Sequence, residues 1–258
     1  MFKDQIVAIT GASGGIGRAM AQMFIAQGAK VAISDRTSPD ATALEIGAKA
    51  YACDVSIDEN VVAFIDAVEA DLGPIDVFVS NAGVGYADGP HVAGTPNKQW
   101  ELSWQINVMS SVYAARRLMP RWIERKSGRF IITASAAGLL SQIGSASYTV
   151  TKHAAVAFAD SIAIEHADDG VKVHCICPQY VRTNMTKGMK MAEEHQDDLL
   201  EPVDVANALL EAIEKDEFLV LPHAVVHAYS VGRAKDHSGW LTGMVKLRRR
   251  LKPENMPL

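Results

Sequence analysis

Tyr148 and Lys152 stand four residues apart, and their side-chain types are those that move protons. On a helix that spacing puts both side chains on one face. A phenol titrates near ~10 and is a poor base at neutral pH. An ammonium beside it favours the phenolate and brings proton transfer into range. Ser135, upstream of the pair, offers a hydroxyl that can hydrogen-bond an oxygen carrying developing charge. Tyrosines over lysines also occur on many helices without function, so the pair acquires meaning only with other features.

The first such feature is the run Thr10-Gly11-Ala12-Ser13-Gly14-Gly15-Ile16-Gly17, which follows an apolar strand pattern and opens a helical one. In that setting Gly11 permits a tight turn, Gly15 lets backbone approach a pyrophosphate, and Gly17 lets helix pack on strand. Ser13 and Ile16 belong to the same phosphate-facing turn, where a helix N-terminus offers free N–H groups and partial positive charge. Asp35 closes the next strand, placed to accept hydrogen bonds from ribose hydroxyls and to repel a 2′-phosphate. Arg36 follows it and would favour that phosphate. Gly14 supplies no second basic residue, so Asp35 outweighs Arg36 and the expected cofactor is NAD rather than NADP. Asp54 and Val55 end the third strand, where a carboxylate can meet adenine or merely cap a helix. Asn81-Ala82-Gly83 ends the fourth, where small residues allow close approach of the cofactor.

These residues need elements to hold them. Strand patterns fall at 6–10, 30–34, 49–53, 77–80, 129–134, 171–177 and 218–221; helical patterns fall at 16–27, 59–71, 98–126, 147–168 and 202–214. The stretch 37–47 has room for only two or three helical turns. Strands alternating with helices argue for a parallel sheet of βαβ units, and the near-continuous apolar strands for a sheet covered on both faces. No linker or composition break divides the chain, so one domain over 1–258 is expected. A methionine-rich segment within 183–200, with Met185, Met189 and Met191, reads as a substrate lid. Residues 222–258 form a C-terminal extension.

With 48% hydrophobic and 21% charged residues the chain can bury a large core, and a net charge of −5 argues against nucleic acid as a partner. No apolar run approaches the ~20 residues that span a bilayer, so no membrane partner is expected. Cys53, Cys175 and Cys177 lie in apolar runs and read as buried inert thiols. No metal site is expected, and the expected location is the cytoplasm. Lys246, Arg248, Arg249, Arg250 and Lys252 form a basic cluster that reads as a solvated helix face, an anionic-substrate rim or a subunit contact.

Taken in order, the loop at 10–17, Asp54, Asn81-Ala82-Gly83, Asn107, Ser135, Tyr148, Lys152 and the stretch from Pro178 to Thr183 resemble the short-chain dehydrogenase/reductase family. The likeness covers roughly residues 3–221. It implies a Rossmann-like, doubly wound α/β fold with seven parallel strands and helices on both faces. It also implies a catalytic tetrad of Asn107, Ser135, Tyr148 and Lys152. In it Tyr148 exchanges the hydroxyl proton, Lys152 also holds the nicotinamide ribose, and Asn107 holds a water linking Lys152 to solvent. Pro178, Val181 and Thr183 would contact the nicotinamide end. The chain departs from the family pattern at Pro178-Gln179 and at Ser80-Asn81. It also lacks the T-G-x-x-x-x-V-D-G-G ending of many acyl-carrier-protein reductases.

The expected activity is NAD-dependent hydride transfer between a secondary alcohol and a ketone, with a largely apolar small-molecule substrate. Its walls would be Ser135, Ala136, Leu139, Leu140, Ile143 and Gln179, with Met185 and Met189 from the lid. An NADP-dependent ketone reductase such as a 3-oxoacyl reductase, a silent NAD-binding sensor or scaffold, and an epimerase or lyase using NAD transiently are the alternatives. A homodimer or homotetramer is expected, paired through the helices at 98–126 and 147–168, with Ala154, Ala155, Phe158 and Ile162 on the apolar face of the second.

Overall fold

The computed structural model describes residues 1–187 and 199–251. Seven parallel strands form one sheet: β1 (Ile6–Thr10), β2 (Lys30–Asp35), β3 (Lys49–Ala52), β4 (Val77–Ser80), β5 (Gly128–Thr133), β6 (Val171–Ile176) and β7 (Leu219–Val220). Their spatial order is β3-β2-β1-β4-β5-β6-β7. The order reverses between β1 and β4, and in open parallel sheets the crevice beyond the strand ends at that reversal is where ligands bind. The loops leaving β1 and β4 are the glycine run and Asn81-Ala82-Gly83.

Strand β1 shows why helices must cover both faces. Its side chains alternate. Ile6 and Ala8 join a core with Phe78, Trp122 and Phe130, whereas Val7 and Ile9 join a second core with Met20, Phe24 and Leu209. Helices α3 (Asp58–Leu72), α5 (Ser110–Arg125) and α6 (Ala146–Glu165) supply the first core; α1 (Gly15–Ala26) and α7 (Pro202–Glu214) supply the second. The short α2 (Asp40–Ile46) has the two turns expected of 37–47 and ends at Gly47 in the left-handed conformation, φ 78°.

The helix expected over 98–126 is α4 (Asn97–Trp104) running through a π-helical segment, Gln105–Met109, into α5. One wider turn inside a continuous helix shifts the register of the side chains that follow, and such turns recur at functional sites. Asn107 sits in it. Beyond β7 the chain forms two further helices, α8 (Val225–Lys235) and α9 (His237–Arg250), which periodicity left unassigned as an extension. No described helix is long and apolar enough to cross a membrane. Most of the stretch expected to act as a lid, including Met189 and Met191, lies outside the described residues.

Candidate active site

A cleft of about 450 Å³ opens at the reversal point, lined by Gly11, Ser13, Gly14, Gly15, Ile16, Asp35, Arg36, Asp54 and Val55 toward one end. Asn81, Ala82, Gly83, Ser135, Tyr148, Lys152, Pro178, Gln179, Val181, Thr183 and Met185 line the same cleft. Residues from seven loops and helices, scattered over 175 positions of sequence, thus meet where the β-strands end.

The glycine run owes its shape to two contacts. Gly11 has φ 64°, and a Cβ there would stand 2.7 Å from the Ala82 Cα, so the β1 and β4 loops can meet only through glycine. A Cβ on Gly17 would stand 2.6 Å from both the Gly11 carbonyl and the Asn81 Nδ2. Gly17 is therefore tightly packed against the β1 and β4 loops, as its helix-on-strand role requires, and it is absent from the lining of the cleft. The Asn81 amide is also committed to protein: Nδ2 donates to the carbonyls of Thr10 (3.0 Å) and Gly11 (2.9 Å), and Oδ1 accepts from Thr133 Oγ1 (3.1 Å). It fastens the phosphate-type loop to β4 and β5.

Helix α1 begins with Gly14 at its N-cap, no side-chain cap and no carboxylate in its first turn. Its first N–H groups are donors without intrahelical acceptors, and they face the cleft where an anion would lie. Asp35 lies farther along. Its Oδ2 accepts from Ser13 Oγ at 2.6 Å and from Ser13 N at 3.3 Å, and its Oδ1 from Arg36 N at 2.8 Å. A carboxylate has about four lone-pair sites, so acceptor capacity remains for diol hydroxyls. Asp54 accepts from Ser56 N (3.0 Å) and Ser56 Oγ (2.6 Å), closing a local turn after β3. An uncapped helix end, a ribose-type carboxylate and an open crevice form a donor and acceptor set that fits a dinucleotide. Asp35, Ser13 and the α1 N-terminus would hold its adenosine and pyrophosphate parts.

At the opposite end Ser135 caps a short 3-10 turn, accepting from Ala137 N at 3.1 Å and donating to the Pro178 carbonyl at 3.4 Å. Lys152 is 3% exposed, and its ammonium donates to the Thr133 carbonyl at 2.8 Å and stands 5.6 Å from the centre of the Tyr148 ring. Burial pushes the lysine down to about 8 and pushes the Tyr148 phenol above its ordinary value, against the lowering effect of Ser135. The net direction for the phenol is therefore upward, because burial outweighs what lowers it. Removing both groups from water disfavours the phenolate and the ammonium alike, and Lys152 turns to the Thr133 carbonyl.

Asn107 does not line the cleft. Its Oδ1 accepts from Val84 N, while its Nδ2 donates to the Val84 carbonyl and to Thr151 Oγ1, all at 2.9 Å. It pins the loop after β4 to α6 one residue before Lys152, so in this structure it positions residues around Lys152. A Cβ on Gly83 would come within 3.3 Å of both Asn107 Oδ1 and Lys152 Nζ, and glycine leaves that approach open. Leu140 and Ile143, with Ala136 and Leu139, are likewise absent from the lining. The 3-10 turn Ala136–Gly138 carries the chain away from the cleft, and the Leu139 carbonyl is held by Arg233 Nη1 at 2.6 Å. Val84 and Ile106 line the cleft in their place. Thr133 and Thr151 were missed because each acts through one backbone or side-chain contact that only the folded chain creates. Cys53, Cys175 and Cys177 are free and buried, and burial is the largest cause raising Cys53 to about 12.

The short chain dehydrogenase family model matches residues 5–194. The chain belongs to that family. The sorbose reductase of Candida albicans is 35% identical over 193 residues, which cover 71% of this short-chain dehydrogenase and 69% of the relative. The meso-2,3-butanediol dehydrogenase of Serratia marcescens is 35% identical over 196 residues, 72% and 75% of the two chains. Among solved structures, a short-chain dehydrogenase/reductase from Burkholderia phymatum in complex with NAD superposes with a TM-score of 0.78 at 25% identity, covering 91% of this chain and 94% of that one. A 3-ketoacyl-(acyl-carrier-protein) reductase from Brucella melitensis complexed with NADH gives the same TM-score at 26% identity, over 86% and 98%.

Proposed function

We propose that this oxidoreductase transfers a hydride between a secondary alcohol or ketone and NAD. The observation that carries the reading is the placement of Ser135, Tyr148 and Lys152 in the same cleft as Asp35 and the uncapped start of α1. Bound nicotinamide would supply the hydride donor or acceptor. Tyr148 gives its hydroxyl proton to the substrate oxygen in reduction and takes it back in oxidation. Ser135 hydrogen-bonds that oxygen and stabilises its developing charge. Lys152 keeps positive potential beneath the phenol. The relatives that reduce sorbose or dehydrogenate meso-2,3-butanediol, by their names, support an alcohol and carbonyl chemistry. Val84, Ile106 and Met185 give the cleft an apolar side, with Gln179 as a polar point. That lining favours a largely apolar substrate. The test is NADH formation from alcohols of graded size; tight NADH binding with no turnover across the panel would leave a sensor or scaffold instead.

The preference for NAD rests on Asp35. Wild-type enzyme is expected to show the higher kcat/KM with NAD, because the carboxylate accepts from a ribose diol and repels a 2′-phosphate. Asp35→Ala should weaken NAD use and narrow the NAD/NADP ratio, since one attraction and one repulsion disappear together. Arg36, which also lines the cleft, would then be free to pair with phosphate. A wild type that prefers NADP sinks the assignment.

The same proposal includes a homodimer or homotetramer through α4, α5 and α6. Ala155 and Ile162, expected on the pairing face, are buried in the core under the sheet. Trp104, Val150 and Ile164 are the exposed apolar residues on these helices, Ile164 at 78%. Light scattering at micromolar concentration should give at least twice the chain mass, and a monomer mass would refute pairing.

A further inference from the structure

Helix α9 buries none of its residues, and α8 beneath it buries only Val226. Such a helix is usually polar all round. This one has two distinct sides. At 100° per residue, Trp240, Leu241, Met244, Val245 and Leu247 share an arc of about 160°. Leu241, Val245 and Leu247 are 48%, 46% and 41% exposed. The opposite side carries Lys246, Arg249 and Arg250, and α9 contains no Asp or Glu. Arg248 and His237 interrupt the apolar side; the aliphatic stem of Arg248 lets its guanidinium reach past it, and the His237 ring lies against Trp240. Trp240 is fixed in place: the Arg233 guanidinium lies 4.9 Å from its ring centre and the His237 ring 5.4 Å. Arg233 is itself bound to the Leu139 carbonyl, so the helix pair is held in a defined pose against the loop after β5.

Charge separates this arm from the remainder of the molecule. Residues 225–250 hold six Lys or Arg and one Asp, a formal +5, in a chain of formal charge −5, which leaves −10 elsewhere. An acidic soluble partner would match the basic side and leave the apolar side in water. A surface with negative charge outermost and hydrocarbon just below it satisfies both sides at once. We propose that α9, braced by α8, docks on an anionic lipid bilayer. Its apolar side would enter the boundary between headgroups and acyl chains, with Lys246, Arg249 and Arg250 among the headgroups. Docking of this kind needs no membrane-spanning segment.

Flotation of the full chain with vesicles tests it. The protein should float with phosphatidylcholine vesicles containing about 30% phosphatidylglycerol, stay behind with pure phosphatidylcholine, and be released as salt rises to about 0.5 M. The pair Arg249→Glu and Arg250→Glu, and separately the pair Leu241→Asp and Val245→Asp, should each lower the bound fraction by roughly tenfold or more. All four positions are exposed, so circular dichroism and the thermal midpoint should match wild type. No flotation on anionic vesicles overturns the proposal, as does flotation that neither pair alters. Variants that instead lower the mass in light scattering, with no vesicle binding by wild type, also overturn it and make the arm a subunit contact.

Discussion

Replacing Tyr148 by Phe is expected to lower turnover by roughly 10²-fold or more while NADH binding stays near wild type, because the ring packing is kept and only the proton donor is lost. The buried setting of the phenol adds a directional signature. Burial raises its pKa. A neutral phenol is the form that protonates a carbonyl oxygen, so reduction should hold its rate through neutral and mildly alkaline pH. Oxidation requires the deprotonated form, so its rate should climb with pH over the same range. Steady-state rates in both directions on wild type and Tyr148→Phe check this. Near wild-type turnover in the variant would mean another group carries the proton.

Lys152→Met should separate activity from stability. The folded ammonium is depressed to about 8 from 10.5 because burial disfavours its charge. Below pH 8 both folded and unfolded states hold the proton, and the full desolvation penalty is present. Between about 8 and 10.5 the folded chain has lost it while the unfolded chain keeps it, so this residue's contribution to stability rises with pH. A shift of that size corresponds to about 3 kcal/mol at pH 7, partly offset by the hydrogen bond to the Thr133 carbonyl, worth roughly 1–3 kcal/mol. The variant should therefore be nearly inactive yet no less stable than wild type at neutral pH. Its advantage should shrink as the buffer is taken to pH 10. Urea midpoints at both pH values measure this, and a gap that does not change with pH contradicts the buried-charge origin.

The parallel sheet was legible because it is written locally. Each strand is a short apolar run, each helix carries a 3.6-residue period, and the glycine run sits between one of each. Those patterns placed all seven strands to within a residue at either end, and also set α1, α3 and α7 closely. The site residues from Ser135 to Lys152 were legible for the same reason, since their spacing is a property of one turn and one helix. The π-helical segment at Asn107 was not, because helical periodicity does not distinguish one wider turn.

What only the tertiary structure decided concerns water and distance. Sequence spacing puts Lys152 next to Tyr148, but whether the phenol rises or falls depends on how far both are taken out of solvent, and burial wins. The motif shows that Gly17 lets helix pack on strand, but only the fold shows that the groups it packs against are the Gly11 carbonyl and the Asn81 amide. Leu140 and Ile143 follow Ser135 closely along the chain, yet they are absent from the lining of the cleft, which Val84 and Ile106 share instead. The amphipathic pattern of α9 is present in its residues, but in most surface helices such a face packs against the protein's own core. Only the fold leaves that face uncovered, because the sheet already has both of its faces filled by other helices.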